Sequence, residues 1–413
     1  MDTLRSVLPA ALALAVVPAP ALAAGTPAHV PSGARAVSSR VAAPARFAPR
    51  RPTKVGLGAT LTTSDGGEIF GFDVNQNGTD GVLASAQTVT ASGELLVSME
   101  TFDQNSGAIT KTFKREKTKV NSYSVDGIAA GDVALVTHYI QPKGSIFAIR
   151  KYDVMNPVTA GKFNGKWDSP IDDINVQQMA ENQSPTTSLL FAIELKKQDN
   201  PILVMTDLSG KKKTSTVFQL DANLFGGADG PVLGQYTAAN EAIFALSPDA
   251  GAVGGSPPVN VIIDLATGKS TQFNGYNNGY YHAGYVNGMA VDPNTGISAT
   301  ATELNAQVEF YNMNTMQGIA AVQLPCTGST DQGSAGSGIA VDPINKLFLV
   351  SEMFYCDGSQ GSAIVVYDES GNYVESITGF KFFIDEGPAA INPNTRTGWA
   401  FGPTFSQLQQ FFY

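Results

Sequence analysis

Gly338-Ile-Ala-Val-Asp342-Pro343-Ile-Asn345-Lys-Leu347-Phe-Leu-Val350 is the stretch whose reading decides the fold. Gly338 to Val341 is small and apolar, as suits a strand in a place too crowded for large side chains. Asp342-Pro343-Ile344-Asn345 is a turn, because proline withholds a ladder donor and Asp and Asn bond their own backbone. Leu347 to Val350 is a continuous apolar run, expected of a strand covered on both faces. Downstream, Ile364-Val-Val-Tyr367-Asp368 reads as a third strand, Glu369-Ser370-Gly371-Asn372 as a turn and Tyr373 to Ile377 as a fourth. Four antiparallel strands in one period are one propeller blade.

Gly288-Met-Ala-Val-Asp292-Pro293 and Gly387-Pro-Ala-Ala-Ile-Asn392-Pro393 repeat the opening, with the three prolines 50 and 50 residues apart. A period near 50 predicts a β-propeller. Carried backwards, the template places inner-strand starts at Gly81, Gly127, Ile174, Gly230, Gly288, Gly338 and Gly387, with gaps of 46, 47, 56, 58, 50 and 49. Third-strand copies at Phe102-Asp103, Tyr152-Asp153, Ile263-Asp264, Tyr311-Asn312 and Tyr367-Asp368 support most of these units. The expectation is an all-β, seven-bladed propeller of four-stranded antiparallel blades. Six or eight blades stay open, since Ile174 stands where the other units have glycine. The last unit reaches only its third strand at Gln407 to Tyr413, so Glu68 to Asn75 is expected to supply the fourth and close the ring.

The motif Gly-Ile-Ala-Val-Asp-Pro, followed by an apolar strand and Val-Val-Tyr-Asp-x-x-Gly, resembles the NHL and YVTN propeller repeats over about residues 287–413. That resemblance implies the fold and leaves the function open, because these repeats serve scaffolds, lyases and hydrolases.

The N-terminus is a separate object. Ser6 to Val17 is a short apolar run, and Pro18-Ala-Pro-Ala-Leu-Ala23 ends in small-x-small, so residues 1–23 read as a signal peptide cleaved after Ala23. An organelle transit peptide is the alternative, since Arg35, Arg40, Arg46, Arg50 and Arg51 follow without acids. Residues 24–54, rich in Ala, Pro and Arg, read as a disordered linker or propeptide, and 55–413 as the propeller. Residues 1–54 hold seven of the 26 Lys+Arg and one of the 36 Asp+Glu, which leaves 19 against 35 and a net charge of −16 on the body. Such a surface excludes nucleic acid as a partner and favours cations. No later segment has the roughly 20 apolar residues of a membrane span. The expected product is a secreted or periplasmic monomer that meets a small molecule, a cation or an extracellular protein.

The residue before each inner-strand start is Asp80, Asp126, Asp173, Asp229, Asn287, Ser337 and Glu386. In a propeller these positions converge on the mouth of the central channel. Five carboxylates, an amide and a hydroxyl make a hard-oxygen ring suited to Ca²⁺ or Mg²⁺. Taken singly, each is also a plausible turn cap. Asp385-Glu386-Gly387-Pro388 and Val286-Asn287-Gly288 are similar to metal-binding elements of the gluconolactonase/regucalcin family. The resemblance implies a divalent cation held by Glu386, Asn287 and either Asp229 or Asp126. It departs from that family in blade count and in carrying the Glu in the last unit.

His138 and His282 are placed on the ring face by strand order. His282, beside Tyr280 and Tyr281, is the candidate general base, with an ordinary loop histidine as the alternative. A metal-dependent hydrolase or lyase of small esters or lactones is therefore the rival to a non-catalytic binding propeller. No Gly-x-Ser-x-Gly or His-Glu-x-x-His motif is present, and Gly268-Lys269-Ser270 lacks the glycines of a P-loop. Cys326 and Cys356 are the two cysteines, and in an exported chain they are expected to pair. Closing a loop of about 30 residues contributes about 3–4 kcal/mol if unstrained. Under non-reducing conditions the intact protein is expected to be two hydrogens lighter than its reduced form; free thiols at both cysteines would rule the bridge out.

Overall fold

The computed structural model describes residues 55–76, 78–88, 95–118, 134–140, 148–155, 165–168, 174–179, 187–194, 200–207, 214–225, 228–248, 259–274, 286–302, 307–323, 335–356, 359–380 and 389–413. All lie within the unit Pro49–Tyr413. The chain enters as β1 (Gly56–Thr62), then β2 (Glu68–Val74), β3 (Asp80–Thr88), β4 (Leu95–Asp103) and β5 (Ile109–Thr118). Next come β6 (Ala134–Ile140), β7 (Ala148–Met155), β8 (Gly165–Asp168), β9 (Ile174–Met179), β10 (Thr187–Glu194), β11 (Asn200–Asp207) and β12 (Thr214–Gln219). A single helical turn, α1 (Ala222–Phe225), precedes β13 (Ala228–Tyr236), β14 (Glu241–Pro248), β15 (Val259–Asp264) and β16 (Ser270–Asn274). Then follow β17 (Val286–Val291), β18 (Ile297–Thr302), β19 (Gln307–Asn312), β20 (Gln317–Gln323), β21 (Ala335–Asp342), β22 (Leu347–Cys356), β23 (Ser359–Asp368) and β24 (Tyr373–Ile377). The last three are β25 (Ala390–Asn392), β26 (Thr397–Phe401) and β27 (Gln407–Phe412).

Among the described residues these strands form six sheets, not seven. Four are simple meanders, β2–β5, β13–β16, β17–β20 and β21–β24, and β25, β26 and β27 take β1 as a fourth strand. The remaining sheet is seven-stranded, in the order β12-β11-β10-β9-β7-β6 with β8 also on β7. The fold is thus an all-β propeller of six blades, numbered here from β2–β5. The discrepancy has one source. Ile174, the residue that replaces a glycine, pairs with Glu194 on one side and with Ile149 on the other. That link joins two sequence units into one sheet.

First strands contact one another in the series β9, β13, β17, β21, β25 and β2, which makes them the innermost strands. Small residues are obligatory there. A Cβ built on Gly288 would stand 2.7 Å from the Cα of Gly338 in the next blade, closer than any real side chain tolerates. Further out, large residues fill the widening gap between blades. Phe310 meets Phe348 and Tyr367 edge to face at 5.6 and 5.9 Å, and each such burial stabilises by roughly 1.5–3 kcal/mol.

Two expectations at the N-terminal side are corrected. Glu68 to Val74 is the inner strand of the first blade, so Gly81 lies in a second strand and not a first. Ring closure is achieved by the preceding strand, β1, which pairs with β27 from Gly56↔Phe412 to Thr62↔Gln407. Buried amides hold this seam together. Gln410 Nε2 donates to the Gln104 carbonyl at 2.7 Å, Gln410 Oε1 accepts from Ala59 N at 3.1 Å, and Asn392 Nδ2 donates to Gln104 Oε1 at 3.1 Å. Gln104 Nε2 in turn bonds the carbonyls of Asn75 and Asp80. The chain leaving β1 is pinned by buried Glu100, which accepts from Ser64 N, Ser64 Oγ and Thr112 Oγ1. Phe102 and Trp399 then stack edge to face at 5.3 Å across the first and sixth blades.

Removing residues 1–54 is expected to leave the thermal midpoint unchanged. Removing 1–62 uncovers the β27 edge and should produce aggregation or a loss of cooperative unfolding, read by circular dichroism and light scattering. Equal stability of the two truncations would show that β1 does not close the ring.

Candidate functional site

Two faces of the propeller follow from the meander. On the entry face the first strands begin; on the hairpin face they turn into the second strands. The candidate site lies on the entry face, and β-bulges build it. In β17 the register jumps from Val286↔Thr302 to Gly288↔Ala301, so Asn287 is the extra, unpaired residue. In β21 it jumps from Gly336↔Glu352 to Gly338↔Ser351, which leaves Ser337 in the same role. In β13 the register runs from Asp229↔Ser247 to Val232↔Ala245, so the irregularity falls at Gly230-Pro231 and Asp229 itself is paired. A bulge frees a residue from the ladder and re-aims its side chain, and bulges concentrate beside functional sites. The glycine after the bulges in β17 and β21 is dictated by axial crowding, as the contact between Gly288 and Gly338 shows.

Asn287 and Ser337 therefore occupy equivalent positions in two consecutive blades, while Asp229 is paired with Ser247 near the start of the first strand of the third blade. Asp80 does not join them. It begins a second strand, on the hairpin face, where burial and the neighbouring Asp103 raise its pKa. Asp126, Asp173, Glu386, His282 and Cys326 lie outside the described residues. His138 lies within β6, opposite Lys151, and not beyond the strand's end. Cys356 is the last residue of β22, opposite Ser359. Among the described residues no group of three or more His, Cys, Asp or Glu could hold a metal ion.

One residue not singled out by the sequence pattern joins the site. Glu352 lies directly across the ladder from Gly336, next to the Ser337 bulge, and is buried. Tyr367 Oη donates to its Oε1 at 3.2 Å, while Oε2 has no partner among the described residues. Burial pushes the carboxyl up to about 8, against the smaller opposing effect of the tyrosine hydrogen bond. At neutral pH Glu352 is therefore mostly an uncharged acid that can donate as well as accept. Its signal in the sequence is a Ser351-Glu352 pair directly after the apolar run of the second strand.

The hairpin face is built differently. Asp292 Oδ1 accepts from the backbone N–H groups of Asn294 and Thr295, Asp342 Oδ1 from Ile344 and Asn345, and Asp264 Oδ1 from Ala266 and Thr267. These are Asx turns, so the acids of the repeat motif are structural caps. Four residues after Asp292 the chain needs a left-handed conformation, which Gly296 supplies at φ 70° and Lys346 supplies in the next blade at φ 58°. Tyr413 Oη reaches Asp342 Oδ2 at 3.2 Å and ties the last strand to this face.

The chain matches no protein-family model, and no curated protein matches it. Among solved structures it is similar to the β-propeller domain of Cps50 (Swd1) from Myceliophteria thermophila, with a TM-score of 0.54 and 11% identity over 87% of this chain and 100% of that one. It is also similar to the Dos1 propeller (TM-score 0.47, 11% identity, 87% and 95% covered). Apo AztD from Citrobacter koseri follows (TM-score 0.44, 13% identity, 76% and 86% covered). The first of these supports the β-propeller fold alone.

Glu352 gives the site a pH signature. Its folded pKa lies above that of the unfolded chain, so its contribution is fully present at low pH and is lost as pH rises from about 4.5 towards 8. Glu352→Gln should therefore raise the thermal midpoint at pH 8 by several degrees and leave it unchanged near pH 4. A parallel shift at both pH values would mean that the carboxyl does not titrate in this range.

Proposed function

We propose that this protein is a secreted or periplasmic binding propeller that takes a divalent cation or a small ligand at the mouth of its central channel, on the entry face. The observation that carries the proposal is the pair of bulges at Asn287 and Ser337, at the same level in two adjacent blades, with Asp229 beside the irregularity that opens β13. A turn cap needs no bulge, and these three positions are not in turns. Asp229 and Asn287 bring hard oxygen chemistry to this rim, which suits Ca²⁺ or Mg²⁺. Glu386 and Asp126 complete the proposed ligand set from the sequence repeat, with Asp173 beside them. The N-terminal small-x-small signal supports export, and the acidic body supports a cationic ligand over nucleic acid.

Hydrolysis of a small ester or lactone is the second reading. It assigns the metal to Glu386, Asn287 and Asp229, and proton transfer to His282. The metal would polarise the carbonyl or activate a water.

One experiment separates these readings. Purified protein is analysed for bound metal and then assayed on a panel of lactones with and without chelator. The binding reading expects Ca²⁺ or Mg²⁺ to be retained, to be lost in Glu386→Gln, and no turnover. Chelator-sensitive turnover abolished in His282→Ala would establish the hydrolase instead. No retained metal, together with a silent Glu386→Gln in stability and ligand binding, would reduce the rim to a set of loop residues.

A further inference from the structure

The interface between the third blade (β13–β16) and the fourth (β17–β20) has two halves. Near the hairpin face it is apolar: Tyr236, Ile243, Ile262, Val291, Tyr311 and Met313 pack together. Above them the same interface turns polar. Thr300 pairs with Met289 on one side and Glu309 on the other, and Met289 packs against the third blade. Thr300 and Glu309 must then face the third blade too, since directly opposed residues share a face. From the other side, Asn260 lies between Ala245 and Phe273, both packed on the fourth blade. Asn260 is four residues from the hairpin at Asp264, and Glu309 is three from the hairpin at Asn312. The two stand at nearly the same height. The Phe273 ring, 6.1 Å from that of Tyr311, holds the two sheets together beside them.

Several groups here are buried with no hydrogen-bond partner among the described residues. Both amide atoms of Asn260, Thr300 Oγ1 and Ser298 Oγ accept and donate nothing, at exposures of 1%, 1% and 0%. A buried polar group left unpaired is costly, and three in one interface point to an occupant. The first blade shows the filled version of this position. Glu100 lies three residues before the turn residue Asp103, as Glu309 lies three before Asn312. There Ser64 and Thr112 supply all the donors. In the fourth blade Tyr311 Oη donates to Glu309, while the oxygens around that carboxylate stay open.

We infer that a small hard cation binds between the third and fourth blades, held by the oxygens of Asn260, Thr300, Ser298 and Glu309. An amide oxygen, two hydroxyls and a carboxylate are all hard donors, with no nitrogen or sulfur ligand among them. Gln307, also buried, continues the polar row one step towards the entry face. This site is separate from the proposed channel-mouth site and does not depend on it.

Thermal unfolding of the full-length protein tests this. The protein is stripped with chelator, dialysed into choline chloride, and titrated with NaCl, KCl or CaCl₂ at constant ionic strength. At least one of these cations should raise the midpoint by several degrees and saturate. The titration is also run in the Glu386→Gln background, where the response should persist and where adding Thr300→Val, which keeps the side-chain shape, or Asn260→Leu should abolish it. A midpoint indistinguishable from that in choline for all three salts would overturn the inference. So would a response in that background that survives Thr300→Val, and a response lost on Glu386→Gln alone would assign the cation to the channel mouth. Should Asn260→Leu fail to fold, the wild-type titration and Thr300→Val still decide.

Discussion

Crowding at the propeller axis is the constraint on which the rest of this structure depends. First strands of adjacent blades approach until Gly288 and Gly338 meet backbone to backbone, with no room for a Cβ between them. Small residues follow at the inner positions, such as Ala290 and Ala340, and aromatic rings follow where the blades diverge, such as Phe310 against Phe348. The bulges arise beside the same glycines. A strand that must pass so close to its neighbour and then part from it sheds one ladder position, and Asn287 and Ser337 are the residues set free.

Closing the ring demands a different chemistry. The joint between the first and sixth blades brings chain segments more than 300 residues apart into one sheet, with β1 on β27. Gln104, Asn392 and Gln410 form a hydrogen-bonded chain through this joint, while Phe102 and Trp399 supply the apolar contact. The amides bond one another and the backbone as both donors and acceptors, while Ser85 Oγ and Trp399 Nε1 have no partner among the described residues. Between the third and fourth blades an amide and two hydroxyls stay open together among the described residues, beside the Glu309 carboxylate, and that clustering marks the interblade row.

Buried acids divide along the same lines. Asp292 and Asp342 are raised by burial although each caps a turn through two backbone N–H groups. Glu352 has a single tyrosine partner, and its shift is larger because little opposes desolvation. Caps on the hairpin face are thus held by the backbone they serve. The acid beside the Ser337 bulge has no such structural duty. That asymmetry is one reason for proposing the entry face as the binding face.

The sequence by itself determined the all-β character, the period of about 50 residues, and the four strands from Gly338 to Ile377, which the structure places where the apolar runs and turn residues lie. Each of these is a local property, set by side-chain size and turn chemistry within a few residues. Only the tertiary structure decided the blade count, the closing strand and the polarity of the interfaces. Ile174 marks a weak unit in the sequence, but joining two units through Ile149 is a long-range pairing. Gly56–Thr62 and Glu68–Val74 are equally strand-like, and which of them closes the ring depends on the partners offered by Gln409 and Gln410 at the far end of the chain. Asn287 and Ser337 stood out in the sequence as a register coincidence, and that they are bulge residues did not, because a bulge exists only in relation to the neighbouring strand. Glu352 and Asn260 stayed hidden for the same reason: what a buried polar group can do is fixed by what the facing element fails to offer it.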